Sequence, residues 1–228
     1  MIGFIGAMDV EVKALVDLME DVREVMYSRI TFYEGKLGGK DTVVMQSGVG
    51  KTAAAITTTI MMENYDIEGI VNFGTAGGLQ KDMEVLDVVI SDKVAHHDID
   101  VRTWESGFDQ DRTCFSADRY FIEVMKQIMK ADDTRVWIGN IASGDVFVYT
   151  QEHVNRIMER YDGALCAEME GAAIAQTCRH YHCPFIVIRS ISDVTVREGS
   201  EMDYRTYLAR ASVRSAQWCR KFIERVQV

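Results

Sequence analysis

The chain has 228 residues, 47% of them hydrophobic and 26% charged, a composition that builds one sizeable core and excludes a disordered chain. Its formal charge of −10 at pH 7 argues against a nucleic-acid partner, which needs a basic face, and no apolar run approaches the roughly 18 residues of a membrane span. The five cysteines are odd in number and show no CxxC spacing, which predicts free thiols in a reducing compartment.

The opening residues, 2–8, are apolar and carry no basic stretch before them. They predict a first strand and no secretory leader, hence a cytoplasmic protein. A helix follows from Asp9 and Glu11, with Val12, Leu15, Val16 and Met19 on one side. Residues 30–37 and 42–46 read as strands joined by a Gly38-Gly39-Lys40-Asp41 turn. After the punctuation Ser47-Gly48-Val49-Gly50, residues 51–63 read as a helix, and 69–73 as a short buried strand closing on Gly74-Thr75-Ala76-Gly77-Gly78. Strands are expected at 85–91 and 93–101, an exposed polar loop at 102–117, and a helix at 118–129. Residues 136–142 predict a strand ending in Ser143-Gly144-Asp145-Val146-Phe147-Val148. A short strand at 163–166 leads to Ala167-Glu168-Met169-Glu170 and an alanine-rich helix from Met169 onward. The apolar run 184–188 has the β-branched content of a buried parallel strand and precedes Arg189-Ser190-Ile191-Ser192-Asp193. The last helix, from about Asp203, repeats Tyr204, Leu208, Ala211, Ser215, Trp218, Phe222 and Val226 at steps of three and four. Alternating strands and helices, without a linker, predict a single α/β domain over 1–228: a mixed, mainly parallel central sheet flanked by helices.

Three motifs suggest ligands that their setting does not support. Gly50-Lys51-Thr52 resembles the end of a phosphate-binding loop, but the glycine that motif requires five residues earlier is Met45. His96-His97-Asp98-Ile99-Asp100 offers metal-ligand types, yet alternate strand residues face opposite sides. His180, His182 and Cys183 cluster where histidines satisfy helix-end carbonyls. No metal or cofactor is expected. Acidic residues near strand ends are a stronger signal, because open α/β sheets bind ligands at the carboxyl ends of their strands. Glu168 and Glu170 could simply start a helix. Together with Asp9 and Glu11, the 74–78 glycines, 143–148 and Asp193, they outline a pocket for a small, hydroxyl-rich, partly aromatic ligand.

These motifs, taken in order with Ile5-Gly6-Ala7-Met8, Ser47-Gly48-Val49-Gly50-Lys51 and Gly74-Thr75-Ala76-Gly77-Gly78-Leu79, resemble the 5′-methylthioadenosine/S-adenosylhomocysteine nucleosidases. That family lies within the purine nucleoside phosphorylase superfamily. The resemblance implies a nucleoside phosphorylase/hydrolase-like fold and a homodimer. It also implies cofactor-free hydrolysis of the N-glycosidic bond of methylthioadenosine and S-adenosylhomocysteine, with 5′-deoxyadenosine a further candidate. Residue by residue, it implies that Asp193 is the general acid toward adenine N7, oriented by Ser192. Phe147 stacks on the base and the backbone near Val148 reads its edge. Glu170 and the Met169 backbone hold the ribose hydroxyls beside Glu168. Glu11 activates water, helped by Arg189, with Thr75 nearby. Met8, Val49, Val101 and Tyr204 wall the ribose and its 5′ group. The 103–115 segment departs from the family's Gly-Tyr and Gly-Gln-x-Pro-Gly pattern, and Tyr204 stands where Phe is usual.

The residue types suit that chemistry. Breaking the C1′–N9 bond leaves an oxocarbenium ion, which carboxylates stabilise, and an adenine anion, which an acid neutralises. A phosphorolytic relative and a non-catalytic nucleoside sensor on the same fold are the alternatives. A sensor needs no acid at the leaving group.

Overall fold

A computed structural model describes residues 1–99, 113–161, 163–196 and 201–227, with the side chains of 201–206 outside the description. In chain order the elements are β1 (Ile2–Gly6), α1 (Asp9–Val16), β2 (Glu20–Tyr27), β3 (Ile30–Leu37), β4 (Lys40–Gln46), α2 (Lys51–Asn64), β5 (Gly69–Gly78) and β6 (Val88–His96). They continue with β7 (Cys114–Ser116), α3 (Arg119–Ala131), β8 (Val136–Ser143), α4 (Gln151–Arg160), β9 (Cys166–Glu168), α5 (Gly171–His180), β10 (Phe185–Val194) and α6 (Glu201–Arg225).

The strands form one mixed sheet of ten in the order β10-β6-β8-β9-β5-β1-β4-β3-β2, with β7 on β6. Because β10 also pairs with β5, the strands β5, β10, β6, β8 and β9 close into a ring. The remaining path through β1 opens outward to the β2 edge. The strands nearest the middle, β4, β1, β5 and β10, run parallel, so their carboxyl ends fall on one side of the molecule. Helices α1, α3 and α6 pack together against the sheet, and α2 and α5 pack against each other. The α6 stripe is buried as the spacing predicts at Ala211, Ser215, Trp218, Phe222 and Val226.

Several elements differ from the sequence expectation, each for a local reason. β2 is an edge strand that is largely exposed, so it carries no alternating apolar signal. Its ladder to β3 supplies the pairing instead. β6 is one strand rather than two: its pairing with β8 slips at Asp92, and that bulge carries the strand through polar Ser91-Asp92-Lys93. The segment expected as an exposed loop contains β7, whose Phe115 is buried. β5 and β10 run on through Gly74–Gly78 and Arg189–Val194. Those motifs are therefore paired strand, not loops after strands. α4, a polar helix, was not expected. Its Val154 and Ile157 pack on Leu79, Ala142 and Val148 in a second small core.

Candidate active site

At the carboxyl ends of the parallel strands lies a cavity of about 160 Å³. Glu11, Glu170, Asp193 and Arg189 line it, as do Met8, Val49, Thr75, Phe147, Val148, Glu168, Met169 and Ser192. Two expected site residues are not placed: Val101 lies outside the described residues, and Tyr204 belongs to α6 but its side chain does too. Asp9 is exposed and does not line the cavity.

Glu11 sits in the first turn of α1, where its carboxylate turns back over the helix start. Oε2 accepts the Ala7 N–H at 3.0 Å and the Met8 N–H at 3.1 Å, while Oε1 accepts the Thr75 N–H at 3.1 Å. A Cβ at position 74 would stand 2.9 Å from Oε1, so Gly74 leaves the space the carboxylate occupies. Burial pushes the Glu11 carboxyl above its ordinary range, while the Arg189 charge and the backbone donors pull it back.

Glu168 and Arg189 form a buried ion pair at 2.5 Å. The same guanidinium nitrogen donates to Asn72 Oδ1 at 2.6 Å, and Nη1 donates to the Ile188 carbonyl at 3.2 Å. Asn72 Nδ2 in turn donates to the Ile5 carbonyl at 2.9 Å, fixing the amide. Glu168 Oε2 also accepts the N–H groups of Glu170 at 3.1 Å and Gly171 at 2.8 Å. Burial opposes the Glu168 charge, but Arg189 and these donors hold the carboxyl below its ordinary range. Arg189 keeps its charge against the same burial because Glu168 and Glu170 flank it. Among the described residues, the buried atoms Glu168 Oε1 and Arg189 Nε find no hydrogen-bond partner. Both residues line the cavity, and such atoms suit a polar ligand.

Glu170 accepts the Gly50 N–H at 2.9 Å. Its carboxyl is pushed up to about 7, first by burial and then by neighbouring Glu168, against the Arg189 charge and the Gly50 donor. Such a group changes protonation near neutral pH.

Asp193 depends on an irregularity in β10. Between Ile191 and Asp193 the pairing with β5 slips, so the four steps from Arg189 to Asp193 oppose three from Gly74 to Gly77. In a regular strand adjacent residues face opposite sides. The bulge lets Ser192 and Asp193 line the cavity together. Ser192 Oγ donates to Asp193 Oδ1 at 2.8 Å, and Thr195 Oγ1 lies 3.4 Å from Oδ2. A Cβ at position 77 would meet Thr195 Oγ1 at 2.7 Å, so Gly77 makes room for this arrangement.

The outer wall is apolar. Phe147 is 59% exposed and stacks on Tyr149 with ring centroids 6.3 Å apart, and Val49 is 60% exposed. The N–H groups that open α2, which a phosphate-binding loop would aim at its ligand, are taken by the protein's own carboxylates. Gly50 donates to Glu170, and Lys51 donates to Asp145 Oδ1 at 2.7 Å. β6 ends at His96, so His97 and Asp98 have left the strand and the alternation argument does not reach them. Asp98 bonds Lys51 Nζ instead. Among the described residues, no three His, Cys, Asp or Glu side chains are grouped to hold a metal ion.

Sequence reasoning missed Asn72 and Thr195 as supporting residues, and it placed Ser143 at the pocket only as part of the 143–148 stretch. Asn72 had a visible signal, an amide inside the apolar run Ile70-Val71-Asn72-Phe73. Ser143 pairs with Glu168 across the β8–β9 ladder, and its hydroxyl accepts the Ala172 N–H at 3.1 Å.

Known proteins share this arrangement at the level of the whole chain. The family profile described as the phosphorylase superfamily matches residues 1–224. The 5′-methylthioadenosine/S-adenosylhomocysteine nucleosidase of Chromohalobacter salexigens is 38% identical over 99% of this chain and 97% of its own. The nucleosidase of the same name from Neisseria meningitidis, solved with methylthio-immucillin-A, superposes with a TM-score of 0.92 at 35% identity, covering 99% of each chain. The S-adenosylhomocysteine nucleosidase of Streptococcus pyogenes, solved with 5-methylthiotubericidin, gives 0.93 at 33% identity, over 100% of this chain and 97% of that one. With this agreement in sequence and fold, the chain belongs to the 5′-methylthioadenosine/S-adenosylhomocysteine nucleosidase family of the phosphorylase superfamily.

Proposed function

We propose that this protein hydrolyses the N-glycosidic bond of 5′-methylthioadenosine and S-adenosylhomocysteine, releasing adenine and the 5-thio-substituted ribose. The observation that carries the reading is the set of four buried carboxylates around one cavity, Glu168 engaged by Arg189 and beside it Glu11, Glu170 and Asp193. In this reading Asp193, held by Ser192, delivers a proton to adenine N7 as the C1′–N9 bond breaks. Phe147 covers the base, and the backbone at Val148 meets its edge. Glu170, ionised, accepts the ribose hydroxyls, and its negative charge offsets the positive charge growing at C1′. Water adds to C1′ and gives its proton to Glu11, whose Oε1 keeps a lone pair beyond the one taken by Thr75. Met8 and Val49 pack against the ribose and its 5′ group.

The charge distribution favours water over phosphate as the nucleophile. Among the described lining residues Arg189 is the sole cation, and Glu168 and Asn72 already hold it. A phosphate dianion at C1′ would lie close to Glu11 and Glu170 without a free cationic partner there.

The reading extends to a single functional domain over 1–228, acting in the cytoplasm as a homodimer. All five cysteines are free thiols, which suits a reducing compartment. Among the described residues, no helix is long and apolar enough to cross a membrane. Exposed Val49, Val146, Phe147 and Tyr149 near the cavity give a second copy an apolar surface to cover. Light scattering at micromolar concentration should report a dimer, and a monomer would contradict that part. The reaction itself is tested by chromatography of methylthioadenosine and S-adenosylhomocysteine incubated with the protein. Free adenine from both is the expected result, and two intact substrates would overturn the reading.

A further inference from the structure

Outside the cavity, two segments that line it and the chain leaving β6 are tied together by one charged group of residues. Lys51 Nζ bonds Asp98 Oδ1 at 2.5 Å, and Asp98 Oδ2 accepts the Asp145 N–H at 2.9 Å. Asp145 Oδ1 closes the circuit by accepting the Lys51 N–H at 2.7 Å. The Lys51 and Asp98 side chains are only 17% and 22% exposed, so the pair is shielded rather than a solvated surface bridge. Burial opposes the Asp98 charge, yet Lys51 and the Asp145 donor hold its carboxyl below the ordinary range. The packing leaves little slack: a Cβ at position 50, where φ is +95°, would stand 3.0 Å from Asp145 Oδ1.

Two of the three members adjoin the cavity wall. Lys51 begins α2 directly after Val49 and Gly50. Asp145 directly precedes Val146, Phe147 and Val148, which line the cavity. Asp98 belongs to the chain leaving β6. Gly50, held on one side by this circuit, donates its N–H to Glu170 on the other.

We infer that Lys51, Asp98 and Asp145 form a positioning clasp, which holds the Phe147 loop against the α2 start and keeps the Gly50 N–H on Glu170. None of the three needs to touch the substrate. Their effect on turnover rests on the role assigned to Glu170, but their effect on Glu170 itself does not. The carboxyl of Glu170 is faced by Glu168 from the end of β9, Arg189 from β10, Glu11 from α1 and the Gly50 N–H from α2. Of these, the clasp controls the last. Its release removes a donor that favours the ionised form, so Glu170 ionises at higher pH.

The test uses the full chain with Lys51→Met and Asp98→Ala, and Lys51→Arg as the conservative variant. Glu170 is titrated by carboxyl ¹³C NMR, and kcat and KM for adenine release are measured across pH. A through-space charge effect would move Glu170 in opposite directions, up when Lys51 is neutralised and down when Asp98 is removed. The clasp moves it upward in both, on the order of one pH unit. The acid limb of kcat/KM moves with it, and kcat/KM falls roughly tenfold or more as the wall loses register. Lys51→Arg, which keeps the charge and a donor, recovers most of the loss. Opposite shifts, or no shift in both variants, would overturn the clasp. If Lys51→Met fails to fold, the titration and kinetics of Asp98→Ala and Lys51→Arg decide the question by the same signs. A wild-type protein that releases no adenine while Glu170 still shifts upward in both variants would instead refute the functional reading and leave the clasp standing.

Discussion

Glu11→Gln is the perturbation whose consequence follows most directly from the geometry. Glu11 Oε2 accepts two N–H groups, from Ala7 and Met8, which fill its lone pairs. Among the described residues Oε1 accepts the Thr75 N–H alone, which leaves one lone pair open. A glutamine must put an NH₂ where one oxygen stood. At the Oε2 position it would confront two donors, and at the Oε1 position only one, so the amide settles with nitrogen toward Thr75 and the cavity. The water then loses its proton acceptor. General-base removal costs roughly 10²–10⁴ in rate, a barrier increase of about 3–5 kcal/mol. The stranded Thr75 N–H adds about 1–3 kcal/mol of lost stability, which in a chain of this size lowers Tm by several degrees. The assay is adenine release under substrate saturation beside a thermal unfolding curve. A folded Glu11→Gln variant with kcat within about threefold of wild type would refute the base assignment.

Other outcomes follow from the same geometry. Asp193→Asn should lower kcat by about 10²–10⁴ while adenine binding, measured by calorimetry, stays largely intact, because the amide still donates to N7 but gives up no proton. Arg189→Met leaves Glu168 charged and buried among fewer donors, and urea unfolding should report about 3–5 kcal/mol of lost stability. Adding Glu168→Gln should restore part of it, a coupling a double-mutant cycle would detect. Glu170, raised to about 7 from an ordinary 4.5, binds more protons folded than unfolded between those values. Its contribution to stability is therefore present below about pH 4.5 and is lost as pH rises through 7, whereas kcat/KM, which needs the ionised form, rises over the upper part of that range. A kcat/KM profile flat from pH 6 to 8 would contradict the role given to Glu170.

What was legible in the sequence depended on burial. β1 and the Phe185–Ile188 part of β10 announce themselves because both of their faces are covered, giving continuous apolar runs. β2 and α4 do not, since one is an exposed edge and the other is mostly polar with two buried anchors. The acidic strand ends were readable as a site because several of them converge, although any one alone could simply start a helix. Their anchoring was not. Backbone donors from Ala7, Thr75 and Gly50 hold the carboxylates, and a main-chain N–H has no letter in the sequence. The bulge at Ser192 is equally silent, because it is a property of pairing between β10 and β5. Asn72 was visible as a misplaced amide, but only the fold shows that it holds Arg189.

The most direct test of the central claim is the fate of C1′. Methylthioadenosine is incubated with the protein in phosphate-free buffer and again with millimolar phosphate, and both products are identified by chromatography and mass spectrometry. The carboxylate-lined cavity predicts equal rates of adenine release and a free reducing 5-methylthioribose in both. Turnover that requires phosphate and yields the sugar 1-phosphate would contradict it and place this chain among the phosphorylases of its superfamily.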